Sequence, residues 1–125
     1  IASLIKKFYD AKKNKKKEVV VWGSGEATRD FIYVEDAAEG MILAAEKYNK
    51  PDPVNLASGN EKKIREIALM IKKYIGFQGN IFWDKKMPTG PKRRVVDISK
   101  AKKEFGFKIK TSMENGIKKT IDWYK

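Results

Sequence analysis

Apolar residues open the chain at helical spacing. Ile1, Ile5, Phe8 and Ala11, with Leu4 beside them, form one stripe and predict a helix starting at the first residue. No Ser, Thr, Asp or Asn precedes the stripe to cap it, so the polypeptide is expected to extend upstream of Ile1. Residues 12–17, KKNKKK, crowd like charges around an Asn and predict an exposed loop. Residues 18–23, EVVVWG, are β-branched and predict a buried strand. A GSGEAT turn leads to a short strand expected over residues 29–34. Glu35 and Asp36 then place acids at the positive end of a helix reaching about Tyr48. Its apolar side is read as Ala37, Ala38, Met41, Ala44 and Ala45, and Pro51 and Pro53 end it.

The second half alternates in the same way. Residues 54–58, VNLAS, predict a third strand. A helix over residues 63–75 carries Ile64, Ile67, Ala68, Ile71 and Ile75 on one face, with Gly76 just past its end. Residues 80–84, NIFWD, read as a strand, and KKMPTGPKRR as a loop held irregular by two prolines and a glycine. Residues 95–98 predict an extended segment. Ser99 is expected to cap a short helix ending at Gly106. Thr111 or Ser112 starts a last helix with Met113, Ile117, Thr120, Ile121 and Tyr124 inward. Strands alternating with helices, without repeat or linker, define one α/β or mixed α+β unit over residues 1–125.

Composition narrows the chemistry. The 125 residues contain no Cys and no His, which removes disulfides, thiolate nucleophiles, imidazole acid/base catalysis and the common transition-metal ligands. No apolar run approaches the ~20 residues that span a bilayer. The net charge of +12 attracts polyanions, so a basic nucleic-acid module is one reading, supported by KKNKKK. The other is a solvated Lys-rich surface, since only Arg29, Arg65, Arg93 and Arg94 among the 28 basic residues are arginines. No RNP, KH or helix-turn-helix signature supports the first.

A few residues stand apart from this background. Trp22 enters a Gly-Ser-Gly turn at a strand end, where its face stacks on a base or sugar or else closes the rim of the core. Arg29 beside that turn either clamps a diphosphate or pairs with Asp30, Glu35 or Asp36. Lys92, Arg93 and Arg94 on a proline-bounded loop suit a phosphate, or form a solvated basic loop. Gly23 and Gly25 lack the third glycine and the helix of a dinucleotide fingerprint. Tyr9 and Lys13 share Y-x-x-x-K spacing, read here as chance in a Lys-rich helix end.

The run VVVWGSGEATRDFIYVEDAAEG resembles the segment of extended short-chain dehydrogenases/reductases that carries R-[DE]-[FY]-[ILV]-[HY]-V-x-D. Trp22 and the run GFQGNIFWDKKMPTGPKRRVVDISKAKKEFGF are similar to the GDP-L-fucose synthase branch of that family, and the resemblance spans essentially the whole chain. It implies the substrate-binding domain of such an enzyme, with the Rossmann domain lying upstream. It also implies site residues. Trp22 matches a Trp that contacts the nucleotide-sugar, Arg29 the Arg on the substrate diphosphate, and Lys7 a basic position on the helix that faces substrate. Asn80 falls where the family can place a contacting Arg. Pro88, Gly90, Arg93 and Arg94 agree with a K-P-D-G-T-P-R-K loop, whereas Thr89 replaces its Asp and Lys92 its Pro.

The family's NADP loop, catalytic Ser/Thr, Tyr-x-x-x-Lys and His would precede Ile1, leaving no catalytic residue in this chain and no turnover by it alone. The implied parent is a cytoplasmic, homodimeric enzyme. It epimerises GDP-4-keto-6-deoxy-mannose at two carbons and reduces the ketone with NADPH. UDP- and dTDP-sugar epimerases or dehydratases share the Arg29 pattern and stand as the alternative. A non-catalytic oligomerisation domain is a third reading, with the helix after Glu35 packing on the absent domain.

Overall fold

A computed structural model describes residues 1–125. The opening stripe forms α1 (Ala2–Lys13) and buries Ile5, Phe8 and Ala11. β1 (Glu18–Trp22) follows, then β2 (Thr28–Asp30), α2 (Val34–Lys47) and β3 (Glu61–Lys63). The chain continues through α3 (Ile64–Ile75), β4 (Asn80–Asp84), β5 (Arg93–Arg94), α4 (Ser99–Phe105) and α5 (Met113–Tyr124).

The strands form two small sheets. β1 and β4 run parallel, with Val21 opposite Trp83 and Trp22 opposite Asp84. The second sheet has the order β3-β2-β5, antiparallel across β2–β3 and parallel across β2–β5. α3 packs between α1 and α5, α1 packs on β1, and the inward Val19 and Val21 of β1 join the same core. This main core centres on Phe8, Ile67, Ile71, Ile117 and Ile121, all at most 1% exposed. The ring of Phe77 meets Phe8 edge to face at 5.7 Å. Lys12 ties the layers by donating from Nζ to the Ile75 carbonyl at 2.6 Å, where the C-terminal end of α3 favours a cation. A smaller core joins α4 to α2 through Ala101, Phe105 and Phe107, packed by Leu43, Ala44, Val54 and Leu56.

Several expectations are corrected. β1 is buried on one face only: Val19 and Val21 point inward, while Val20 and Trp22 face solvent. A two-stranded sheet has helices on one side, so its outer pleat stays wet. The strand expected over residues 29–34 stops at Asp30, because β3 and β5 offer partners only to Thr28, Arg29 and Asp30. Residues 54–58 are not a strand: they pair with no ladder, and Val54 and Leu56 instead pack against the α4 core. The helix expected from Glu35 keeps Ala44 inward as read but turns Met41 and Ala45 out. Asp36, Gly40, Leu43 and Ala44 lie inside, and Met41 is 60% exposed. A Cβ on Gly40 would come within 2.8 Å of the Phe107 ring, so closeness rather than hydrophobicity selects that face. Asp36 is buried and accepts the Lys110 and Thr111 amides at 3.3 and 3.0 Å. Residues 93–94, expected in the loop, form β5, and residues 95–98 form no strand. α4 is capped by the Asp97 carboxylate, which accepts the Ser99 amide at 2.8 Å, rather than by Ser99 itself. Ser112 caps α5, accepting the Asn115 amide at 3.2 Å.

No helix is long and apolar enough to cross a membrane. No group of three or more His, Cys, Asp or Glu side chains is placed to hold a metal ion.

Candidate functional site

The β1 pleat puts Trp22 on the outer face, where it is 55% exposed. Lys7 on α1 reaches across. Its Nζ donates to the Val20 carbonyl at 3.0 Å and stands 5.8 Å from the Trp22 ring centroid. A cation over an exposed indole contributes roughly 0.5–1 kcal/mol, enough to bias the ring's orientation. One indole face is thereby braced by the protein.

The chain then reverses at Gly23 and Gly25, with φ +82° and +78°. Space forbids a side chain at either. A Cβ on Gly23 would clash with Thr89 Cγ2, and one on Gly25 would lie 2.7 Å from the Trp83 ring. The turn thus seats the loop of residues 85–92 beside Trp22. Arg65 completes it, donating to the Ser24 carbonyl at 2.8 Å with its guanidinium 4.9 Å from the Trp83 ring centroid. After Gly25 the chain enters β2, not a helix, so these glycines do not fit the pyrophosphate of NADP.

Arg29 reaches the same loop from β2. Its Nη1 donates to the Thr28 carbonyl at 2.6 Å and the Pro91 carbonyl at 2.8 Å, and a Cβ on Gly90 would sit 3.4 Å from Nη2. The ion pairs considered with Asp30, Glu35 or Asp36 do not form. Asp30 instead accepts the Ser58 and Gly59 amides, each at 2.9 Å. Arg94 stands opposite Arg29 on β5, exposed and without an ion pair.

Arg93 points the other way. Its Nε donates to both Glu61 oxygens at 3.0 and 3.1 Å, and the Thr28 hydroxyl donates to the same carboxylate. The Arg93 hydrogen bond, then the Thr28 one, holds Glu61 below the usual carboxylate range. On that face Lys63 pairs with Glu26 at 2.7 Å, and this bond lowers Glu26 in turn.

Of the six residues read from sequence, four converge. Trp22 and Lys7 flank one side of the 85–92 loop, and Arg29 and Arg94 the other. Arg93 is adjacent but committed to Glu61. Asn80 lies apart: it opens β4 opposite Glu18, whereas Trp22 closes β1 opposite Asp84. Four residues of strand separate the two ends, roughly 13 Å. Sequence reasoning missed Thr89 as the contact that seats the loop, and Glu61 as the group that takes Arg93. Pairing register, invisible along the chain, brings Arg93 to Glu61, and the close approach at Gly23 brings in Thr89.

This is the fold of the extended short-chain dehydrogenases/reductases. A family model described as GDP-mannose 4,6 dehydratase matches residues 1–120, and the chain belongs to that family. It is 39% identical over 124 residues to probable GDP-L-fucose synthase 1 of Oryza sativa subsp. japonica, covering 99% of this chain and 38% of that protein. It is 35% identical over 124 residues to a putative UDP-glucose 4-epimerase of Methanocaldococcus jannaschii, covering 99% of this chain and 39% of the relative. The structure of a GDP-L-fucose synthetase from Naegleria fowleri bound to NADP superposes with a TM-score of 0.90 at 31% identity, over 97% of this chain and 38% of that one. The chain thus spans little more than a third of the length of these relatives.

Proposed function

We propose that this chain is the nucleotide-sugar-binding part of a GDP-L-fucose synthase-like epimerase/reductase, with GDP-4-keto-6-deoxy-mannose as substrate. One observation carries the reading. An exposed, braced indole and two arginines free of carboxylates flank a single loop, a spacing suited to a nucleoside joined to a diphosphate. Trp22 holds the base or sugar end, and Arg29 and Arg94 the phosphates. Binding energy from this remote part of the substrate positions the reacting sugar ring. NADP belongs to a Rossmann domain outside these residues, and no residue here transfers hydride.

The test is calorimetric titration of the chain with GDP and with UDP at moderate salt. Tighter binding of GDP is expected. A preference for UDP would transfer the reading to a UDP-sugar epimerase, the second reading, which the Methanocaldococcus relative supports. Binding of neither would count against a nucleotide site in this chain.

The Rossmann domain also gives the outer face of α2 an occupant. Val34, Met41 and Ile42 lie there at 69%, 60% and 59% exposure, seven and eight residues apart on one helical stripe. Such an apolar stripe on a soluble chain marks a surface that packs against something. Uncovered, the stripe should make the 125-residue chain self-associate with rising concentration, and Met41→Glu with Ile42→Glu should abolish this in sedimentation velocity. Association unchanged by the double variant would remove this assignment.

A further inference from the structure

The three-stranded sheet sorts its charges by face. Register places Arg29 opposite Lys62 on β3 and opposite Arg94 on β5. Directly paired residues project to the same side of a sheet, so Lys62, Arg29 and Arg94 form a row across all three strands. Thr28, Arg93, Lys63 and Glu61 project to the other side. There the cations are neutralised, Arg93 by Glu61 and Lys63 by Glu26.

The row is neutralised in part only, at its Lys62 end. Arg29 meets only carbonyl oxygens, and Arg94 has no ion pair. Lys62 has one carboxylate near it, Glu66 at 3.6 Å, a distance too long for a good hydrogen bond. Glu66 spends its other oxygen on the Lys63 amide at 2.9 Å, capping α3. Like charges directly opposite one another destabilise a sheet. Three in a row with at most one loosely held counter-charge leave an excess of about two positive charges. Lys62 also borders a neighbouring cleft of about 460 Å³, which Glu61 and Glu114 line and which neither Arg29 nor Arg94 reaches.

We propose that Lys62 is a third diphosphate-binding residue, completing with Arg29 and Arg94 a cation row that takes a doubly charged anion. The proposal rests on the nucleotide-sugar reading and extends its phosphate site onto β3. The row spans two strand spacings, roughly 10 Å, so the bridging diphosphate meets a flexible ammonium at one end and a planar guanidinium at its centre. Arg93 is thereby excluded from the phosphate site, although its sequence neighbour Arg94 is included.

Two probes test this by calorimetry, inorganic pyrophosphate and GDP. Wild-type chain should bind both. Lys62→Met should weaken pyrophosphate roughly tenfold, the loss of one charge-assisted contact. Lys62→Arg should retain most of the affinity. Lys63→Met removes the same charge from the opposite face and should change nothing. Thermal melts confirm that each variant is folded. Unchanged pyrophosphate affinity in Lys62→Met overturns the role of Lys62 while leaving Arg29 and Arg94 in place. Equal losses in Lys62→Met and Lys63→Met would reduce the effect to net charge and also overturn it. Wild-type binding of pyrophosphate with GDP no tighter would keep the row and defeat the nucleotide reading. Binding of neither defeats both.

Discussion

Arg29→Ala should weaken GDP binding by the chain about thirty- to a hundredfold. A guanidinium in a charge-assisted, two-pronged contact with phosphate contributes roughly 2–3 kcal/mol, and each 1.4 kcal/mol is a factor of ten. The group is preorganised, since Nη1 is held between the Thr28 and Pro91 carbonyls and little ordering is left for binding. That same anchorage gives Arg29 a second task, tying β2 to the 85–92 loop. Arg29→Lys separates the two: it keeps a charge but loses the fork, so it should recover only part of the affinity. Calorimetry on the three proteins, with far-UV circular dichroism to confirm folding, decides the matter. Undiminished GDP binding by Arg29→Ala would remove the diphosphate from β2.

The largest stability effect is expected at Phe8→Ala. Phe8 is fully buried at the centre of the main core and meets the Phe77 ring edge to face. Truncation removes the transfer energy of the ring and leaves a cavity between α1 and α3, together about 3–5 kcal/mol. A small domain has only about 5–15 kcal/mol in total, so the variant should sit near its unfolding threshold at room temperature. Its melting temperature should fall by roughly 10–25 °C for a chain of this size. Trp123→Ala is the contrasting control. Trp123 is larger but 85% exposed, and its removal should stay within about 0.5 kcal/mol. Similar losses from both would mean that α1 does not pack as described.

How far the fold could be read in advance follows from which forces are local. α1, α3 and α5 were legible because their apolar residues repeat at the helical period and Ser112 and Gly76 mark their ends. β1 and β4 were legible from β-branched and aromatic runs between turns. Residues 54–58 carry the same signature and are not a strand, because a strand also needs a partner, and composition does not supply one. α2 has two apolar stripes, and neither periodicity nor propensity says which turns inward. The choice falls to the face where Gly40 lets Phe107 approach and Asp36 meets two backbone amides.

The site divides along the same line. The residues around Trp22 and Arg29 announced themselves by type, aromatic and cationic beside a tight turn, and the family resemblance gave them roles. Type does not say where a cation spends its charge. Arg93 and Arg94 are adjacent and chemically identical, yet successive residues of a strand project to opposite faces, so one meets Glu61 and the other solvent. Lys62 and Arg29 are 33 positions apart and become neighbours only through the β2–β3 register. The sequence alone determined the helices with a single apolar stripe, the two strands β1 and β4 and the chemical character of the site. Tertiary structure decided which helix face is buried, which run becomes a strand and which cations remain free. Periodicity and residue type are local properties, whereas pairing register and close packing exist only once distant segments meet.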